Sequence, residues 1–306
     1  GGAACGGGGG SRDHVLLQTQ QHAARVEQKA HPLGWPGTGE FVAASEWCRG
    51  EVPASSFNLT SCGPDAESSG LELELEVKVM TYNLFWWNLY GIRQGDHNSA
   101  GNLISHSQQE DEKTLVYDFM AFQECDDVFR VLNDAKAAGL SGEYGAVPGG
   151  HALGIIYRSS RWSLLDHGVD DVAEDHASQW YGNRGAQWAR LEHSQTGKTV
   201  LLVNHHGPLP VNSGGKCGGR ATAYNILHTV ATKGHQGDAV IVTGDFNAGL
   251  PSETIPELSA RMNRVFTGFS MGGIDHIFSS SCSASAGRRL GLGGSDHEAL
   301  DARIRI

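Results

Sequence analysis

Ala239-Val-Ile-Val-Thr243 runs without a break into Gly244-Asp-Phe-Asn-Ala248. The first five residues are apolar or β-branched, the composition of a buried strand. The residues that follow end that strand on an acid and an amide. The same arrangement recurs along the chain. Tyr82-Asn83, Gln123-Glu124, Asn204-His205-His206, Ile274-Asp275-His276 and Ser295-Asp296-His297 are further segment ends of this kind. A polar residue at one strand end carries no message, because every strand must stop. Six ends that each bear a metal-ligand or acid/base side chain point to one rim where strand ends gather into a site.

Outward from these ends the chain reads as alternating strands and helices. Leu71-Glu-Leu-Glu-Leu-Glu-Val-Lys-Val79 alternates apolar and polar residues, the mark of a half-buried strand, and runs on to Asn83. Further strands are expected at Tyr117–Gln123, Leu153–Arg158, Ala186–Leu191, Val200–His205, Ile274–Phe278 and Leu300–Ile306. Helical periodicity marks Arg220–Thr232 and Asp126–Ala138. Interleaved strands and helices predict a layered α/β domain over residues 71–306. Residues 1–70 read as a Gly-rich lead, one short helix over 12–30 and an irregular arm rich in Pro, Gly and Ser.

Met80-Thr-Tyr-Asn-Leu84, Phe122-Gln-Glu124, Val203-Asn-His-His206, Gly244-Asp-Phe-Asn-Ala248, Ile274-Asp-His-Ile-Phe278 and Gly294-Ser-Asp-His297 occur in an order that resembles the endonuclease/exonuclease/phosphatase superfamily, the deoxyribonuclease I-like proteins. The resemblance covers about residues 77–306. It implies a four-layer α/β sandwich, two packed mixed β-sheets flanked by helices. It also implies a divalent metal and hydrolysis of phosphodiesters or phosphomonoesters.

Phosphate ester hydrolysis needs an activated water, in-line departure of the leaving oxygen and stabilisation of charge on the phosphate oxygens. A hard cation such as Mg²⁺ or Mn²⁺ prefers oxygen ligands, and Ca²⁺ can serve structurally elsewhere. By the resemblance, Glu124 is the first metal ligand, accompanied by Asn83 and Asp296. Asp245 orients or deprotonates the water, and Asn247 fixes the water or a phosphate oxygen. His206 and His297 touch the scissile phosphate, and Asp275 orients His297. Of the adjacent pair, the family spacing selects His206. His205 points to the opposite face of its strand and reads as a packing histidine, as does His276.

Arg184, just before the Ala186–Leu191 strand, stands where relatives of deoxyribonuclease I carry a phosphate-contacting Arg. His151 stands where the family often carries a residue that supports the catalytic histidine, and it is a second substrate-side candidate. The sequence departs from deoxyribonuclease I at Val147-Pro-Gly-Gly-His151, which is short and lacks the Tyr and Arg that the nuclease inserts into the minor groove of DNA. Gly207–Gly219, rich in Gly and Pro, reads as a shaped lid beside the site. Phe85-Trp86-Trp87 offers rings that can stack on a base or sugar.

Lys and Arg total 23 against 34 Asp and Glu, a formal charge of −11. That balance argues against static nucleic-acid packaging, where affinity comes from cations. It leaves open an enzyme that meets phosphate through a metal and binds nucleic acid transiently. No apolar run is long enough to span a membrane. The six cysteines form no Cys-x-x-Cys pair, which excludes the common zinc ribbons and fingers. Cys48 and Cys62 flank the sequon Asn58-Leu59-Thr60, so a Cys48–Cys62 disulfide, glycosylation and a secreted or luminal protein are expected. The leading reading is a metal-dependent phosphodiesterase of nuclease-like type. A phosphatase or lipid/inositol phosphoesterase of the same fold, and a non-catalytic binding or structural subunit, stay open beside it.

Overall fold

Twelve strands assemble in the computed structural model, which describes Cys48 and residues 75–109, 116–176 and 182–306. One six-stranded sheet runs, edge to edge, β11 (Ala284–Arg289), β12 (Leu300–Arg305), β1 (Glu76–Asn83), β2 (Phe119–Gln123), β4 (Gly154–Arg158) and β3 (Tyr144–Pro148). The other runs β5 (Trp162–Glu174), β6 (Asn183–His193), β7 (Thr199–His206), β8 (Ala239–Asp245), β10 (Asp275–Ser279) and β9 (Asn263–Thr267). Both sheets are mixed, with β1–β2 and β7–β8 parallel and their other pairings antiparallel.

The sheets pack face to face over Val77, Val79, Phe119, Leu202, Ile241 and Ile277. Helices α1 (Ser99–Gln109) and α2 (Val128–Ala137) cover the outer face of the first sheet. Helices α3 (Gly219–Lys233) and α4 (Thr254–Ser259) cover the second. The result is the expected four-layer sandwich.

Two coverings change the reading of β1. It is buried on both faces, not half-buried. Val77 and Val79 enter the space between the sheets, while Met80 and Tyr82 meet the helices. Lys78 is buried too, with Nζ 3.8 Å from Asp301 Oδ2 and 4.2 Å from the centre of the Tyr117 ring. The alternation in the sequence is therefore apolar against amphipathic, with the Lys stem packed and its charge paired.

The four sheet edges, β3, β5, β9 and β11, were not among the strands expected from the sequence, nor was α1. The expected helix over 12–30, the sequon, Cys5 and Cys62 lie outside the described residues. Cys48 pairs with Cys217, which corrects the expected Cys48–Cys62 bridge. Sequence proximity suggested Cys62; the fold instead joins residues 169 positions apart, tying the N-terminal arm to the segment after His206. Cys282 is also disulfide-bonded, and Cys125 is a buried free thiol.

Candidate active site

The register of the central strands builds the site. His206 on β7 lies opposite Asp245 on β8, and Asp245 lies opposite Asp275 on β10. In the facing sheet Asn83 at the end of β1 lies opposite Gln123, with Glu124 one residue beyond. Gln123 Nε2 donates to Asn204 Oδ1 across the sheets at 2.7 Å, and Asn204 Nδ2 donates to the Phe122 carbonyl at 2.9 Å. This buried polar stitch holds the two rows of strand ends together.

Local backbone then aims the side chains. Gly244 has φ +150°, and a Cβ there would lie 1.9 Å from the His205 carbonyl oxygen, so the Gly-Asp-Phe-Asn turn admits only glycine first. Glu124 and Asn247 both adopt left-handed φ, 47° and 46°, immediately after their strands. Non-glycine residues held there carry strain of the kind that collects at functional sites.

Asp245 is the hub. Its Oδ1 accepts from the Asn247 backbone N–H at 2.8 Å, and its Oδ2 accepts from Asn83 Nδ2 at 2.9 Å. The same Oδ2 lies 3.5 Å from His206 Nε2 and 3.7 Å from His297 Nε2. His297 Nδ1 meets both Asp275 oxygens, at 2.9 and 3.1 Å. Ser295 Oγ donates to the Asn83 carbonyl and accepts from the His297 N–H, which joins the last motif to the first.

The two histidines are tuned apart. Burial pushes His206 down to about 3, aided by the Arg184 charge, so it is a neutral imidazole near pH 7. Arg184 Nη1 is 3.4 Å from its Nδ1, which assigns the proton to Nε2, the nitrogen that faces Asp245. For His297 burial works downward, but Asp275 and Asp245 override it and hold the imidazolium well above the ordinary range. Asp275 itself is raised by burial to about 6 and is still ionised at pH 7. In Asp245 burial works upward, but the His297 charge wins and holds the carboxyl below its usual value.

His205 turns the other way. It is fully buried, with Nδ1 2.9 Å from the Gly185 carbonyl, and burial lowers it to about 4. His276 is also buried, between Thr267 Oγ1 and the Ala248 carbonyl.

Glu124, His206, Asp245, Asn247 and His297 line one open cavity, together with Arg184 and His151. Asn83 and Asp275 stand one hydrogen bond behind that wall. Asp296 sits half-buried beside them, and its charge bears on Glu124, Asp275 and His297. Arg184 is clamped by Asp175, Nε to Oδ1 at 2.8 Å and Nη2 to Oδ2 at 3.0 Å. His151 lines the cavity but binds Asp171 at 2.6 Å; the group that reaches His206 Nδ1 is Arg184.

Two donor sets could hold a cation. Asp245, Asp275 and His297 bring ligand atoms within 4.8 Å of one another. There the Asp275 and Asp245 carboxylates favour the protonated form of His297, and a cation would have to displace that proton. Glu124 is the better fit. Burial, then the Asp296 charge, raise it to about 7, and Asn83 Nδ2 reaches its Oε1 at 3.3 Å. Two carboxylates that oppose each other's ionisation form an oxygen-donor set that a hard divalent ion would relieve, while the Asn83 amide oxygen accepts from the Phe85 N–H.

Sequence reasoning missed Asp175, which is wholly buried and also accepts from the Leu209 N–H at 2.8 Å. It missed the apolar lining from Leu209, Val211, Met271 and Ile274. Asp175 follows the edge strand β5, where no periodicity marks the residues as structured.

The Endonuclease/Exonuclease/phosphatase family model matches residues 85–297. No curated protein matches the chain. The fold is similar to that of an endonuclease/exonuclease/phosphatase family protein from Bacteroides thetaiotaomicron, with TM-score 0.59 and 19% identity over 76% of this chain and 98% of that one. It is similar to a mannosyl-6-phosphatase of the same organism, with TM-score 0.57 and 20% identity over 75% and 99%. The human Nocturnin catalytic domain with bound sulfate gives TM-score 0.52 and 18% identity over 74% and 92%. At these identities the likeness establishes the fold.

Proposed function

The chain belongs to the Endonuclease/Exonuclease/phosphatase family, and from that premise we propose that it is a metal-dependent phosphoesterase that cleaves phosphodiester bonds with water. The observation that carries this reading is the position of Asp245 Oδ2, flanked by His206 Nε2 at 3.5 Å and His297 Nε2 at 3.7 Å. A carboxylate held ionised between a neutral and a cationic imidazole can accept a proton from water while two N–H groups face the phosphate.

The roles follow from the protonation states. Asp245 Oδ2 orients the attacking water and takes its proton. His206 donates Nε2–H to a phosphate oxygen without adding charge. His297 carries the positive charge that stabilises developing negative charge, and Asp275 fixes its ring and proton. Asn247 has one amide hydrogen on the Gly207 carbonyl at 3.0 Å and aims its remaining polar capacity at the water or phosphate. Glu124 and Asp296, with Asn83 beside them, would hold a divalent cation such as Mg²⁺ or Mn²⁺, which supplies Lewis-acid charge to a phosphate oxygen.

A diester suits the cation inventory. Arg184 is the one Arg or Lys among the described cavity-lining residues, and Asp175 already balances it. A monoanionic diester asks less compensation than a dianionic monoester. The Cys48–Cys217 bridge supports a secreted or luminal setting. The test is hydrolysis of bis(p-nitrophenyl) phosphate and p-nitrophenyl phosphate, each with Mg²⁺ and after exhaustive chelation. Cleavage of the diester that chelation abolishes is expected. A rate indifferent to chelator would remove metal dependence from the account.

A further inference from the structure

The cavity is polar at its floor and apolar at its rim. Its floor is made by strand ends, whereas Val211, Met271 and Ile274 come from loops beyond those ends. Trp86 and Trp87 line it from the first sheet, three and four residues past Asn83. Three loops of the second sheet adjoin here. The Asn212 N–H donates to the Asn247 carbonyl, and the Gly249 N–H donates to Asn212 Oδ1, both at 2.7 Å. A Cβ built on Gly249 would lie 3.2 Å from the Gly273 carbonyl oxygen.

These loops carry an excess of exposed apolar surface. Val211 is 40% exposed, Leu250 60%, Phe269 70% and Met271 42%. Single exposed apolar residues are ordinary. Val211 and Met271 line the cavity, and Leu250 and Phe269 lie on the same adjoining loops; such concentrations of exposed apolar surface mark binding surfaces. Trp87 packs edge-on to Phe85 at 5.0 Å, and Trp86 stacks on Tyr90 at 4.1 Å, so both rings are held in place before a ligand arrives.

Charge narrows what can lie there. Among the described lining residues the cavity offers three carboxylates, Glu124, Asp126 and Asp245, against Arg184, paired with Asp175, and His297, paired with Asp275. A polyanion would bring further phosphates to a lining whose Arg is already paired; beyond it Arg289 lies over the Phe269 ring at 4.0 Å and 3.6 Å from Glu298, and nucleic-acid affinity rests on unpaired cations. An uncharged apolar group meets complementary surface.

We propose, resting on the phosphoesterase reading above, that the substrate is an amphiphile with a single phosphate ester whose uncharged apolar substituent lies against Trp86, Trp87, Val211 and Met271. The phosphate occupies the floor, and the apolar arm leaves along the rim toward Leu250 and Phe269. The rim residues contribute affinity by removing apolar surface from water, and the floor residues contribute the chemistry.

The experiment reads binding apart from catalysis. Methyl-, butyl- and octylphosphonate each carry one phosphorus and resist hydrolysis, and their affinities can be measured by calorimetry with Mg²⁺ present. Partial burial of the added methylenes predicts at least ~10-fold tighter binding of octyl- than methylphosphonate. The double variant Val211→Ser/Met271→Ser, checked for an unchanged far-UV spectrum, is expected to shrink that ratio to about 3-fold or less. Equal affinity across the series, or tighter binding of a non-hydrolysable thymidine dinucleotide than of octylphosphonate, would overturn the proposal. Hydrolysis of bis(p-nitrophenyl) phosphate is run in parallel. Turnover with a flat phosphonate series sinks the apolar subsite alone, whereas a graded series without turnover upholds the subsite and sinks the enzymatic reading.

Discussion

Replacing Asp175 by Asn removes one negative charge from a site with no exposure to solvent. The carboxylate accepts from Arg184 Nε at 2.8 Å, Arg184 Nη2 at 3.0 Å and the Leu209 N–H at 2.8 Å. An amide oxygen at Oδ1 can keep the Nε and Leu209 bonds. The amide nitrogen then confronts Nη2, a donor facing a donor. Arg184, with a side chain only 12% exposed, also loses its counter-charge. Breaking a buried pair by removing one partner costs about 3–5 kcal/mol, and the two retained hydrogen bonds and residual exposure bring the expected loss to ~2–4 kcal/mol. The same change loosens Arg184 beside His206 and the Leu209 loop beside the cavity, so kcat/KM should fall ~10–100-fold. Urea unfolding at pH 7 reads the first effect and diester hydrolysis the second. Asp171→Asn is the matched control, because that carboxylate is 38% exposed and should cost under ~1 kcal/mol. In the double variant Asp175→Asn/Arg184→Met, part of the loss should return, since no buried cation is then left unpaired. A stability loss below ~0.5 kcal/mol with unchanged turnover would show that Asp175 does not hold Arg184 as described.

His206→Ala should lower kcat by ~10²-fold or more, whereas His205→Gln should leave kcat within a few-fold; equal losses would reverse the assignment of the pair. Asp275→Asn should cost ~10²–10⁴ in kcat while the protein stays folded, because His297 loses the partner that sets its ring and charge; a near-native rate would refute that role. Stability should fall as pH drops from 6.5 toward 4. His205 and His276 titrate at about 4 when folded, against 6.5 unexposed to burial, so the unfolded chain binds protons first across that window. Each contributes up to ~3 kcal/mol of acid destabilisation, and His276→Gln should flatten the decline in urea midpoint between pH 7 and 5; an unchanged slope contradicts the buried neutral histidine. Non-reducing peptide mapping should recover Cys48 linked to Cys217, and a Cys48–Cys62 peptide would contradict the fold described for that loop.

The central strands were legible because both their faces are covered. Val200–His206 and Ala239–Asp245 are nearly continuous apolar runs that stop at functional side chains. Every strand that escaped detection is a sheet edge. In β5, Trp162–Glu174, most positions are exposed or half-exposed, and in β9, Asn263–Thr267, all five are half-exposed. With burial lost on one side, the constraint that writes hydrophobic periodicity into sequence is lost too. The candidate site divides along the same line. Its strand-end motifs could be read locally, because glycine, acid and amide requirements lie within a few residues. Asp175 and the rim residues Val211 and Met271 reach the cavity through tertiary placement of loops, which no local spacing encodes. The Cys48–Cys217 pairing is likewise a property of the fold, since nearness in sequence favoured Cys62.

In the proposed mechanism Asp245 is the group that readies water for attack at phosphorus. The most direct measurement is the rate of bis(p-nitrophenyl) phosphate hydrolysis by wild type and Asp245→Asn with saturating Mg²⁺, both shown to share one unfolding midpoint within error. Asn can keep the hydrogen bond from the Asn247 N–H through its amide oxygen, sets its NH2 against Asn83 Nδ2, and cannot take the proton. A loss of ~10²–10⁴ in kcat is therefore predicted. Turnover by the variant within a few-fold of wild type would contradict the mechanism.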